Sequence, residues 1–165
     1  MAIALSLSLF VLDVRAQGPP ASPALAKLER YVGAWTYDGV DKTRAGGAVA
    51  CTSVREWIAA GYFLASRRDC RTPRGFLRQV EIFGYDTTRG VFTYQGFSGS
   101  VVSTYVAASA DGPVVRWVGV GVSGHNRCTE VFAADGLSSH DQCETSTDGG
   151  HTWSVVAEGT STRGN

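Results

Sequence analysis

The sequence predicts an all-β protein: an antiparallel, up-and-down barrel of about ten strands with a short helix before the first strand. Strand-like segments alternate with turn signals at nearly regular spacing along the chain. The four cysteines are spaced as two hairpins would require, and no second helical pattern interrupts the strands. A meander of this length removes its exposed edges by closing on itself. We therefore expect a closed barrel.

Composition limits the classes of function. The chain has 165 residues, enough for one domain with a sizeable core. Acidic and basic residues balance at 15 each. Because there is no basic excess, we do not expect nucleic acid as the main partner, nor an anionic membrane surface.

The N-terminus has the features of an export signal. Residues 2–12 are apolar apart from serines and form too short a run to span a bilayer, and Val14-Arg15-Ala16 suits a signal peptidase. We predict a signal peptide over 1–16, a flexible mature N-terminus over 17–23, a barrel domain over 24–162 and a secreted or periplasmic location. No transmembrane segment is expected. No positive charge precedes the apolar run, and the alternative is that it forms a strand of the fold.

One helix and ten strands are expected after residue 21. Ser22-Pro23 is a helix start, Leu25, Leu28 and Val32 follow at helical spacing, and Gly33 suits the end of the helix. The predicted strands span 34–39, 48–58, 62–70, 75–85, 90–97, 101–108, 114–122, 128–133, 137–144 and 152–160. The turn signals between them include Asp111-Gly112-Pro113, Asp135-Gly136 and Asp148-Gly149-Gly150.

The cysteine spacing predicts two disulfides, each within one hairpin. Cys51 and Cys70 are symmetric about Ala60-Gly61, and Cys128 and Cys143 are symmetric about Asp135-Gly136, so both centres fall on turn residues. A two-residue turn at Asp135-Gly136 would make the second pair hydrogen-bonded, whereas the shorter Cβ separation of a non-hydrogen-bonded pair suits a disulfide better. A longer turn or a bulge would make Cys128 and Cys143 a non-hydrogen-bonded pair instead. The alternative, four thiolates on zinc, lacks a C-x-x-C knuckle, and we expect no metal.

Residues 146–153 match the pattern S-x-D-x-G-x-T-W. The segment resembles the Asp-box of sialidase-type propellers, in which the Asp caps a hairpin turn and the Trp packs beneath it. A propeller needs one repeat per blade, and this chain has a single copy. We interpret the motif as a structural turn.

The mature chain as a whole resembles a known family. The segment Leu28-x-x-Tyr31-x-Gly33-x-Trp35, together with Gly84-Tyr85-Asp86 and the D-G-G-x-T-W segment, is similar to a bacterial domain-of-unknown-function family with a calycin-type, lipocalin-like barrel. The resemblance covers about residues 24–162 and implies a ten-stranded barrel with an interior cavity, but no established activity. Gly-x-Trp is also the lipocalin and nitrobindin-like signature, in which the Trp plugs the barrel end. A nitrobindin-like haem site needs an inward histidine near the C-terminal strands. His140 and His151 lie in that region, but neither is in a matching pattern, so no cofactor is expected.

Three functional hypotheses remain open. The first is an exported protein that binds a small apolar or amphiphilic molecule in the barrel. The walls would be Trp35, Trp57, Tyr94, Tyr105 and Trp117, and Arg78, Arg116 or His140 would orient a polar end.

The second hypothesis is a cavity enzyme for isomerisation, cyclisation or hydrolysis, with His140 and Glu81 as acid and base. The third is a non-catalytic envelope protein that binds another protein through its outer face. Under each hypothesis we expect a monomer or a homodimer. A filled barrel would favour the third hypothesis, and His140 beside a carboxylate in a cavity would favour the second. Arg78, Glu81 and Arg116 lie mid-strand, and alternation alone does not decide whether they face inward.

Overall fold

The structure, a computed structural model, describes residues 20–44, 46–121 and 124–164. The predicted signal peptide lies outside the described residues, as do residues 17–19 of the predicted flexible N-terminus. Among the described residues, no helix has the length and apolar character needed to cross a membrane.

The first element of the described residues is the predicted short helix. The α-helix α1 spans Pro23–Ala26 and continues as a 3-10 helix over Lys27–Tyr31. Ser22 caps the helix, accepting a hydrogen bond from the Leu25 N–H at 3.3 Å. Side chains three residues apart lie on the same side of a 3-10 helix. Leu28 and Tyr31 therefore share one face, and both are buried.

Within the described residues, ten antiparallel strands follow and form a closed barrel in which each strand pairs with its sequence neighbours and the first pairs with the last. The strands are β1 Gly33–Asp41, β2 Gly47–Ile58, β3 Phe63–Thr72, β4 Gly75–Asp86, β5 Val91–Ser98, β6 Val101–Ala107, β7 Val114–Gly121, β8 Gly124–Phe132, β9 Ser138–Ser146 and β10 Ser154–Arg163. The predicted fold class and strand number are confirmed. The largest shift is in β8, which begins at Gly124, four residues before the predicted start.

The N-terminal helix lies over one end of the barrel, which we call the closed end. Lys27 forms an ion pair with Asp111 at 2.7 Å, and Arg30 donates to the Gly112 carbonyl at 2.6 Å. The Ala21 N–H donates to the Gly61 carbonyl in the β2–β3 loop at 3.0 Å. These contacts attach the helical segment to two loops at this end. We call the other end, where β1 ends and β2 begins, the open end.

Aromatic and aliphatic side chains fill the closed end. Tyr31 stacks on Phe83 with 5.4 Å between ring centroids and meets the Phe132 ring edge-on at 5.3 Å. The cluster also includes buried Leu25, Leu28, Trp35, Trp57, Leu64 and Val115. The packed core lies at the closed end. Between this core and the open end, side chains leave part of the barrel interior unfilled.

Both disulfides form as predicted, Cys51–Cys70 between β2 and β3 and Cys128–Cys143 between β8 and β9. The Cα–Cα distances are 4.0 and 4.1 Å, close to the separation of non-hydrogen-bonded pairs. In the second hairpin the Ala133 N–H donates to the Ser138 carbonyl at 2.9 Å, which leaves residues 134–137 as the loop. This longer turn keeps the predicted register and gives the cysteines the pairing that a disulfide prefers.

The Asp-box segment forms a turn between β9 and β10. The Ser146 hydroxyl donates to Asp148 at 2.7 Å and accepts from the Gly150 N–H at 2.8 Å. The Asp148 carboxylate also accepts from the backbone N–H of Thr152 at 2.9 Å. The Thr152 hydroxyl, which donates to the same carboxylate at 2.5 Å, contributes most, and with these other hydrogen bonds it holds the pKa of Asp148 far below its usual range. Trp153 donates to the Gly150 carbonyl at 3.0 Å, completing the turn.

Candidate functional site

The barrel contains a cavity of about 540 Å³ above the closed-end core. Its walls carry the two disulfides and several aromatic rings, and charged groups lie among them. The aromatic residues are Tyr37, Phe83, Tyr94, Tyr105 and Trp117, and the charged residues are Asp41, Arg55, Arg68, Arg74, Glu81, Glu130 and Asp141. A cavity of this size is in the range of small-molecule sites.

Glu81, on β4, is a buried carboxylate, only 2% exposed. It accepts a hydrogen bond from the Tyr94 hydroxyl at 3.1 Å and a long one from Arg68 at 3.5 Å. Burial raises the pKa of Glu81, but the guanidinium groups of Arg68 and Arg55 outweigh that effect and leave it below the usual value. Burial and the neighbouring Glu81 charge raise the pKa of Tyr94 well above its usual value. The pair is therefore a carboxylate and a neutral phenol.

Glu130, on β8, is a second carboxyl group at the base of the cavity. It accepts hydrogen bonds from the Tyr31 hydroxyl and from the Trp117 indole N–H, the latter at 3.0 Å. Burial raises the pKa of Glu130 to about 7, and the Asp141 carboxylate contributes to this rise. The residue borders the cavity while its carboxyl group is surrounded by protein. Near neutral pH, Glu130 is therefore divided between its protonated and ionised forms.

Asp141, on β9, lies directly across from Glu130 in the β8–β9 pairing. Its two carboxylate oxygens accept hydrogen bonds from serine hydroxyls, at 2.8 Å from Ser139 and at 2.6 Å from Ser161. Both serines are buried. This acceptor is therefore satisfied by the protein itself.

Two arginines approach the cavity from neighbouring strands. Arg55 on β2 pairs with Ser66, and Arg68 on β3 pairs with Ser53, so the two are diagonal neighbours. The Arg55 guanidinium lies over Tyr31 and Trp35, at 5.6 and 5.5 Å from the ring centroids. The Arg68 guanidinium lies 5.1 Å from the centroid of Tyr37. The aromatic rings hold both cations in place.

The aromatic residues predicted as walls divide between two places. Tyr94, Tyr105 and Trp117 line the cavity, and the Tyr94 ring contacts the other two at 5.5 and 6.0 Å. Trp35 and Trp57 are buried in the closed-end core instead. Trp57 is fixed there by donating to Glu29 at 2.8 Å, and Trp35 by donating to the Tyr31 carbonyl at 2.9 Å.

Three polar residues predicted for the cavity lie on the outer surface. Arg78 is paired with Asp69 at 3.4 Å, and its side chain is 79% exposed. Arg116 and His140 are also exposed. Each lies one position away from an inward residue on its strand, Gln79, Trp117 or Asp141, and neighbours on a strand face opposite sides. The prediction that one of the three orients a ligand inside the barrel is therefore corrected. Because His140 faces outward, it also does not meet Glu81.

The sequence did not point to Arg55, Glu130 or Asp141, and it left open whether the basic stretch that contains Arg68 is solvated rim charge or recognises a carboxylate or phosphate; the structure places all four in the cavity lining. Once the direction of the cysteines is known, alternation along each strand identifies the inward residues, because both disulfides face the cavity. Alternation from Cys70 and Cys128 assigns Arg68 and Glu130 to the interior, at i−2 and i+2. The same step from Cys143 reaches Asp141. The decisive clue was the inward direction of the cysteines, which their spacing does not reveal.

The fold is similar to that of solved β-barrel proteins. The crystal structure of Rv2717c from M. tuberculosis matches with a TM-score of 0.64 and 14% identity, covering 87% of this chain and 99% of that one. The S-type phycobiliprotein lyase CPES from Guillardia theta matches with a TM-score of 0.56 and 12% identity, covering 84% of this chain and 90% of that one. At these identities the likeness shows the fold alone, a closed antiparallel β-barrel. Scans against known protein families and against curated proteins found no match.

Proposed function

We propose that this protein is exported and binds a small amphiphilic organic molecule inside its barrel. The observation that carries the proposal is the cavity of about 540 Å³, which combines aromatic walls with charged groups near its base. Such a site buries an apolar body while a few polar groups orient it. The two disulfides support an oxidising, extracytoplasmic location.

The cavity also bears on the two alternatives. A filled barrel would have favoured an envelope protein that acts only through its outer face, and this barrel contains an open cavity. An enzyme using His140 and Glu81 would need both groups in one place, and the exposed position of His140 keeps them apart. The geometry therefore favours ligand binding over both.

The test uses a pair of variants on one strand. Ser103 lines the cavity, and its neighbour Val102 is 58% exposed on the outer face. The probe is N-phenylnaphthylamine, a neutral dye that fluoresces in apolar surroundings, excited by energy transfer from the tryptophans. We expect the dye to bind wild type and Val102→Phe with equal affinity. Ser103→Phe should weaken binding at least about tenfold, because the new ring occupies the space of the dye and removes roughly 1.4 kcal/mol or more of binding free energy.

Two results would contradict the proposal. Equal dye affinity in Ser103→Phe and Val102→Phe would place the dye outside the barrel. Absence of dye binding to wild type, together with a native mass spectrum that shows no co-purified small molecule, would argue against a ligand-binding interior.

A further inference from the structure

We propose that Arg55 and Arg68 form an anion-binding subsite near the base of the cavity, which takes the carboxylate, sulfonate or phosphate head of an organic acid. This inference rests on the proposed function and specifies its ligand as an amphiphilic anion. Its apolar body would lie against the aromatic walls.

The first observation is an unpartnered donor. The Nε–H of Arg55 is buried and has no hydrogen-bond acceptor among the described residues. Arg55 also forms no ion pair within that part of the chain: its guanidinium lies against the rings of Tyr31 and Trp35 and acts on Glu81 and Glu130 only as a nearby charge. Leaving a buried charged donor without an acceptor is unfavourable. An oxyanion entering the cavity would supply the missing acceptor.

The second observation is that the carboxyl groups near the base of the cavity are already engaged. Asp141 accepts from two serines, and Glu130 accepts from Tyr31 and Trp117. Glu81 accepts from Tyr94 and, at 3.5 Å, from Arg68. These carboxyl groups are therefore engaged, while the buried Nε–H of Arg55 has no acceptor within the described residues and Arg68 has only one long hydrogen bond, to Glu81. An unpartnered cationic donor beside carboxyl groups that are already engaged favours an anionic ligand over a cationic one.

The third observation is that the two guanidinium groups are held in fixed positions. Arg55 is held against Tyr31 and Trp35, and Arg68 against Tyr37. Guanidinium groups bind carboxylate, sulfonate and phosphate through parallel N–H donors, and holding them in place reduces the entropy lost on binding.

The test compares two dyes with the same ring system. Anilinonaphthalene sulfonate carries an anionic head, and N-phenylnaphthylamine lacks it. We expect wild type to bind the sulfonate more tightly. Arg55→Gln and Arg68→Gln should each weaken binding of the sulfonate about 10- to 100-fold, the range for a hydrogen bond to a charged group. Both variants should leave affinity for the neutral dye within about twofold, close to the resolution of a binding measurement.

Two outward arginines provide matched controls. Arg78→Gln and Arg116→Gln remove the same charge from the outer surface and should leave both affinities unchanged. A displacement experiment on the wild-type protein does not depend on the folding of any variant. Octanoate should displace the sulfonate dye at a lower concentration than octanol does, because octanoate has an anionic head and octanol does not.

The results separate this inference from the proposed function. If the neutral dye binds in the cavity but the sulfonate gains nothing from Arg55 and Arg68, the barrel binds ligands and the anion subsite is wrong. Equal loss of both dyes in Arg55→Gln and Arg68→Gln would show that the arginines maintain the shape of the cavity, and would also overturn the subsite. If octanol displaces the dye as well as octanoate does, the same conclusion follows.

Discussion

Glu130 illustrates how enclosure decides the chemistry of a single residue. The half-buried Glu144 forms a bidentate ion pair with Arg127, at 2.6 and 2.9 Å, and hydrogen bonding from that arginine lowers the pKa of Glu144. Glu130 lies on the neighbouring strand β8 and faces the barrel interior, where burial raises the pKa of Glu130 to about 7. Two glutamates of nearby strands are thus shifted in opposite directions by their surroundings.

The shift at Glu130 predicts a pH-dependent stability. The pKa of Glu130 rises from 4.5 to about 7 on folding, so the folded state binds its proton more tightly than the unfolded state. Its contribution to stability is full below pH 4.5 and is lost as the pH rises through about 7. We expect Glu130→Gln to gain free energy of unfolding relative to wild type between about pH 4.5 and about pH 8. The gain should be on the order of 3 kcal/mol, measured by urea denaturation at each pH.

Glu144→Gln is the control of opposite sign. Because the pKa of Glu144 is lowered by folding, its contribution is present at high pH and is lost as the pH falls. That variant should therefore lose stability relative to wild type as the pH rises. A constant difference between Glu130→Gln and wild type across the same pH range would contradict the raised pKa.

At the scale of single elements, turns set the geometry of each hairpin. The four-residue loop after Ala133 keeps the register that the cysteine symmetry predicted and changes which pairs are hydrogen-bonded. The Asp-box turn is stabilised in another way, because its hydrogen bonds involve side chains and not only backbone groups. Ser146 is central to it, being only 2% exposed and bonded to both Asp148 and the Gly150 N–H.

We expect Ser146→Ala to destabilise the protein by about 1 to 3 kcal/mol, because it removes the acceptor of the Gly150 N–H in a buried position. The adjacent Thr147 is exposed, and Thr147→Ala should change stability by less than about 0.5 kcal/mol. Chemical denaturation of the two variants in parallel provides the measurement. Similar stability of the two variants would show that the turn does not depend on the serine hydroxyl.

At the scale of the whole molecule, the helical segment and the barrel depend on each other. Ten strands close the sheet, and the helical segment supplies Leu28 and Tyr31 to the core at the closed end. Tyr31 also donates to Glu130 at the base of the cavity. The segment therefore closes one end of the barrel and forms part of the base of the candidate site.

Two leucine truncations test this role. Leu28 is fully buried under the barrel end, whereas Leu137 is 51% exposed in a loop. Leu28→Ala should lower the free energy of unfolding by about 2 to 5 kcal/mol, because it leaves a hole in the core. Leu137→Ala should change it by less than about 0.5 kcal/mol. Thermal or urea unfolding distinguishes them, and a small effect at Leu28 would mean that the helix is not part of the cooperative core.

The sequence alone determined the order and type of the elements. Turn residues and alternation predicted the ten strands, Ser22-Pro23 predicted the helix, and cysteine symmetry predicted both disulfides. These are local properties, or they link strands adjacent in sequence. Their causes, such as capping, turn chemistry and hairpin register, therefore act within a few residues of the positions that show them.

Only the tertiary structure decided which face of each strand encloses the cavity. Alternation divides a strand into two faces without saying which is inside, and a shift of one position exchanges them. That single step separates Arg116 from Trp117 and His140 from Asp141, placing the predicted polar groups outside. Arg55 on β2 and Glu130 on β8 line the same cavity, close enough for the arginine charge to act on the Glu130 carboxyl, because the sheet closes and the helical segment covers one end. This arrangement brings together strands far apart in the chain, and no local sequence pattern contains it.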